Sequence, residues 1–123
     1  MGKSVQDAVL DAALAVIATA DQITVCTTEP ATYAAATAGA LLLAGPAAPS
    51  FQAIADAVGG GRELGVDAEA AMPIVAGGNA EHIALTTVAG SHLRAVTTCT
   101  LHALILADTV TIPAWTIHID DPV

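Results

Sequence analysis

Basic residues are nearly missing from this chain. Three Lys+Arg stand against twelve Asp+Glu in 123 residues, a formal net charge of −9. Nucleic-acid binders place Lys and Arg against phosphates, so that class is excluded on composition. Charge of either sign is scarce, at 12% of residues, about half the usual share for a soluble domain. Disorder is excluded as well, because disordered segments join low hydrophobicity to high charge and this chain is 54% hydrophobic. Two cysteines do not make a disulfide scaffold. Cys26 and Cys99 each sit among β-branched neighbours, where small buried thiols are common, and both are expected to be free. A bridge would need them on adjacent strands, which their spacing does not establish.

Long apolar runs are also lacking. Ala12–Ala20 imitates a signal-peptide core, but Asp7 and Asp11 stand where that region should be positive. Gln6 occupies the position where a myristoylation signal wants Ser or Thr. The stretch 31–48 is interrupted by Gly39, Gly45 and Pro46 and is too short to cross a bilayer. A soluble, uncleaved chain with no membrane partner is expected.

What is abundant is alanine, with 29 copies. The length supports one domain over 1–123 with a real core. A folded monomer of this mass exposes roughly 6,000 Å², and few charged side chains are available to solvate it. Much of the surface is therefore expected to lie against other protein.

Periodicity sets the expected elements. Leu10, Leu14 and Ile17 with Val9, Ala13 and Val16 recur at helical spacing, so a helix is expected at about 5–20. Ser4 is its expected cap, with Asp7 at the third helical position. Ile23 and Val25 then alternate with Thr24 and Cys26 as in a strand, closed by Pro30. Residues 31–44 read either way: Ala34–Ala36 favour a helical turn, Leu41–Leu43 a strand. From about 45 to 61 no period is visible, and a long excursion is expected. Strands follow around Leu64–Val66, Met72–Val75, His82–Thr87 and His92–Thr98, the last two as a hairpin pairing Leu85 with Leu93 and leaving a loop at 87–91. A final strand runs from Val110 to Ile119, and its change of parity at Pro113 suggests a bulge or an edge position. The sum is a mainly β domain with six to eight short strands, an antiparallel sandwich or partly closed barrel with one N-terminal α-helix.

Candidate chemistry is thin. Gly2-Lys3-Ser4 lacks the strand and glycines of a phosphate loop, and Gly59-Gly60-Gly61 opens no helix. On the expected register His82 and His92 lie roughly 13 Å apart, too far to share one ion. Asp120 and Asp121 point to opposite faces if extended, and Glu63, Asp67 and Glu69 read as a solvated patch. None of the three serines stands in a nucleophile elbow. Cys99 and His102 are near in sequence, but catalytic thiols and bases usually meet through the fold. The chain is therefore expected to be no enzyme, with no cofactor and no metal. Trp115 reads as a core anchor or an interface anchor. Tyr33 and Phe51 share that ambiguity.

Five segments carry a resemblance: Thr28-Glu29-Pro30-Ala31-Thr32-Tyr33, Gly61-Arg62-Glu63-Leu64, Ala80-Glu81-His82-Ile83-Ala84-Leu85, Leu93-Arg94-Ala95-Val96-Thr97-Thr98-Cys99, and Asp108-Thr109-Val110-Thr111-Ile112-Pro113-Ala114-Trp115. Their order resembles small virion proteins of tailed bacteriophages, most of all head decoration (cement) proteins. The resemblance implies a β-rich subunit on the phage head surface, binding the major capsid protein and itself as a homotrimer. The Ala-rich runs at 34–36 and 40–48 depart from that pattern. Leu42, Phe51, Ile54 and Val58, apolar without core periodicity, are the expected contacts with capsid or neighbouring copies, with Trp115 beside them. The alternatives are a tail or neck component and a small non-viral ligand-binding sandwich.

Overall fold

A computed structural model describes residues 6–120. The chain is mainly β, with antiparallel sheets that do not close into a barrel, a sandwich-like arrangement. The first element, α1 (Asp7–Ile17), starts at Gln6, whose side chain makes no capping bond. Asp7 is thus the first helical residue and not the third, and Ser4, the expected cap, lies outside the described residues. Only Leu10 and Leu14 are buried on α1. Val9, Ala13 and Val16 face out, because α1 packs along the strand carrying Arg62 and presents one narrow stripe to it.

Among the described residues nine strands follow, with one short helix between the first two: β1 (Gln22–Cys26), α2 (Tyr33–Thr37), β2 (Leu42–Ala47), β3 (Ala55–Asp56), β4 (Arg62–Val66), β5 (Glu69–Pro73), β6 (Gly78–Thr87), β7 (His92–Leu104), β8 (Thr109–Ile112) and β9 (Trp115–Ile119). The ambiguous stretch 31–44 resolves into both of its readings in turn. Thr32 accepts a hydrogen bond from the Ala35 amide at 3.1 Å and caps α2. Leu42 then opens β2.

One sheet runs β2-β1-β6-β7, a second β3-β4-β9, and β5 pairs with β8. Ile23, Val25, Ile83 and Leu85 point inward and share a core with Met72, Ile74 and Ile112. The other face of β1 is also buried, since Thr24 and Cys26 are fully covered. Here α2 lies over the sheet, with the Cys26 thiol 3.8 Å from the Ala36 carbonyl. Strand β1 therefore loses the polar face that alternation suggested, as central strands do when both faces are packed.

Three expectations are corrected. In the hairpin Leu85 lies opposite Ala95, Thr86 opposite Leu93 and Thr87 opposite His92, so the loop is 88–91. A register shift after Leu85 absorbs one residue, which equal spacing cannot foresee. His82 consequently faces Thr98, not Val96. Second, Pro113 does not bulge one long strand. It divides β8, paired with β5, from β9, paired with β4. The parity change marks a crossing between sheets.

Third, the excursion at 45–61 is half structured. The Gln52 amide bonds the Gly65 carbonyl at 2.8 Å and the Asp67 amide bonds the Ser50 carbonyl at 2.9 Å, so 50–52 runs along β4. No alternation is visible because each piece of paired backbone is only two or three residues long. Gly61 ends the segment at φ +80, where a Cβ would collide with the Ile119 carbonyl.

Candidate assembly surface

Three edges border one side of the sandwich. β7 is the outer strand of its sheet, β9 is the outer strand of the second, and β8 pairs only with β5. Along the chain β7 runs opposite to the stretch 109–118, and the two lie on either side of a gap. The gap is widest between Cys99–His102 and Thr109–Pro113, a cavity of about 340 Å³ floored by Val25 and Ile83. It continues as about 240 Å³ between Thr97–Cys99 and Ile112–Thr116. It ends as about 230 Å³ between Ala95–Thr97 and Trp115–His118. Each compartment shares residues with the next, so this is one seam exposing the edge of the core.

The seam is almost without charge. Among the described residues, no Asp, Glu, Lys or Arg lines any of its three compartments. Its ionisable side chains are Cys99, His102 and His118. Burial, and then the nearby Glu81 carboxylate, push the Cys99 thiol above its ordinary value. It stays neutral at neutral pH and is a poor nucleophile. Cys26 is raised by burial too, opposed by its bond with Thr24. Both cysteines are free, as expected.

Trp115, read as a core anchor or an interface anchor, packs against the core. It is half-buried and lines the seam. Its Nε1–H is buried without an acceptor among the described residues. Phe51 and Trp115 flank Val66 from its two sides, one by an isolated bridge and one in the β4–β9 register. Of the other expected contacts, Leu42 is half-buried opposite Cys26 and Ile54 is half-buried beside β3. Val58 stands 96% exposed in the β3–β4 turn. These residues do not form one patch. Phe51 and Trp115 lie on either side of Val66, while Leu42 belongs to the other sheet and Val58 projects from a turn.

A second apolar feature escaped the sequence reading. Leu101, Ile105 and Leu106 are 55%, 68% and 61% exposed at the distal end of β7 and the turn after it. Val75 is brought alongside by the bond from the Ile74 amide to the Asp108 carbonyl. The signal was there as unbroken apolar sequence from Leu104 to Ala107, a stretch to which the sequence reading assigned no element.

Among the described residues no three His, Cys, Asp or Glu side chains come close enough to hold a metal. His92 faces Thr87, five residues from His82 on β6, a separation of roughly 16 Å. No helix among the described residues is long and apolar enough to cross a membrane. No protein-family model, curated protein or solved structure matches the chain.

Proposed function

We propose that this protein is a structural subunit of a larger assembly, a virion protein of the head-decoration type found in tailed bacteriophages. The observation that carries the reading is the uncharged seam between β7 and the β8–β9 edge. Unpaired strand edges over an opened core are surfaces that a lasting monomer covers or charges, and assembly is the usual way to remove them. The order of the five resembling segments supplies the phage context, and a net charge of −9 suits a subunit that stays clear of packaged DNA. In this role the chain acts on no substrate. Copies bind one another and the major capsid protein, Val58 being the exposed apolar side chain offered to the lattice.

The test is co-sedimentation of a tagged copy with DNA-filled particles of the encoding phage, followed by imaging of the label. Label on the head supports the decoration reading. Label on the tail or neck moves the protein to the alternative virion role, and a chain left at the top of the gradient contradicts both. One observation favours a second reading: the wide end of the seam, at about 340 Å³, lies within the size range of small-molecule pockets. A strictly monomeric protein that retains an apolar ligand on purification would support that ligand-binding sandwich.

A further inference from the structure

We infer that the seam, together with the apolar tip beside its wide end, is the surface by which one copy of this chain meets another. The inference deepens the assembly reading and rests on it for biological context, but its physical basis is separate. Between Ala95 and Ile119 the sequence holds 25 residues and a single formal charge, Asp108. That span contains the outer half of β7, the turn bearing Ile105 and Leu106, and both strands facing β7 across the gap. Two chains of net charge −9 repel each other wherever their carboxylates face. On this side they can touch while bringing up almost no charge. The partner is thus selected by what is missing: a surface lacking both signs suits a second surface of the same kind, whereas a strongly basic partner would find nothing there to pair with.

Backbone chemistry agrees. Among the described residues, β7 and the 109–119 stretch leave outward N–H and C=O groups without strand partners, and their lengths match to within a few residues. A neighbouring copy offers the same two edges, so edge pairing gives those groups partners. The area is sufficient. Thirteen residues of β7 at about 3.3 Å each, across layers about 10 Å apart, give a footprint of roughly 430 Å². Ile105 and Leu106, beyond the end of the strand, add roughly 50 Å² each. The total, roughly 530 Å² per copy and so roughly 1,060 Å² over both, clears the roughly 1,000 Å² expected of a biological interface.

The two cysteines make the test direct. Cys99 lines the two wider compartments, and Cys26 is fully buried elsewhere, so it serves as an internal reference. The full chain is labelled with a maleimide over a range of protein concentrations while light scattering records its mass. The expected result is an oligomer in which Cys99 labelling slows at least about tenfold as the mass rises. The double variant Ile105→Glu, Leu106→Glu changes two exposed side chains and so preserves the fold. It should remain monomeric, with labelling independent of concentration. A chain that stays monomeric at about 100 µM overturns the inference. So does an oligomer whose Cys99 reacts at an unchanged rate, because its contact then lies elsewhere. Either failure leaves the virion reading to its own co-sedimentation test.

Discussion

Arg62 at the start of β4 grips Asp11 of α1 with both arms of its guanidinium: Nε donates to Oδ1 at 2.7 Å and Nη2 to Oδ2 at 3.2 Å. Its remaining nitrogen, Nη1, donates to Asp56 of β3 and lies 3.9 Å from Asp7. One of three basic residues in the chain thus gathers three carboxylates and fastens the helix to the second sheet. The carboxylates hold the guanidinium protonated even more firmly than usual.

Replacing Arg62 by Met should loosen α1 while leaving the sheets in place. The expected outcome is a lower melting temperature and faster amide exchange confined to 7–17. Arg62→Lys should recover only part of the loss, since an ammonium cannot present the parallel pair of donors that Asp11 accepts. Equal melting temperatures for all three proteins would show that Leu10 and Leu14 hold the helix unaided.

Gly61 and Gly59 separate two costs of a side chain at positive φ. At Gly59, φ +91, a Cβ meets nothing within 4 Å. Gly59→Ala should cost only the backbone term, about 1–2 kcal/mol. At Gly61 the Cβ also strikes backbone of Ile119 and Asp120. Gly61→Ala should therefore cost more, about 3 kcal/mol or above. Urea unfolding of the two variants checks the order, and equal midpoints would contradict it.

Leu14 and Val58 mark the extremes of burial, fully covered and 96% exposed. Leu14→Ala should destabilise by about 2–5 kcal/mol. Val58→Asp should stay within about 0.5 kcal/mol of the parent. On the decoration reading the second variant is folded yet binds the lattice less well, which separates a contact role from a folding role.

Both thiols are raised above the ordinary value of 9.0 by burial. A group whose folded pKa is raised contributes stability that is complete below the unfolded value and is lost as pH climbs towards the folded one. The urea midpoint should therefore hold steady up to about pH 8 and fall above pH 9. Cys26→Ala should flatten that decline, and an unchanged slope would assign it to other groups.

Much of the fold was legible because its signals are local. The β1 alternation, the helical turn at Ala34–Ala36 and Leu64 with Val66 are each set within a few residues. What escaped depends on partners distant in sequence. Pro113 reads as a bulge until β8 and β9 are seen to pair with different strands. Val9 and Val16 look like core until the helix is seen to rest on a narrow stripe. Phe51 reads as core or interface because its segment has no period, and only its bridge to Val66, distant in sequence, sets it beside the core. The seam is a pairing that two edges do not make, and no local pattern encodes that. Trp115 was legible as important and ambiguous in role, and the structure packs it on the core at the rim of the seam.

Hydrogen–deuterium exchange followed by concentration tests the central claim most directly. If copies meet across the seam, protection should rise with concentration within 95–107 and 109–119, and amides of 42–58 should not change. Protection that rises in 42–58 instead, or nowhere at all, would contradict the account.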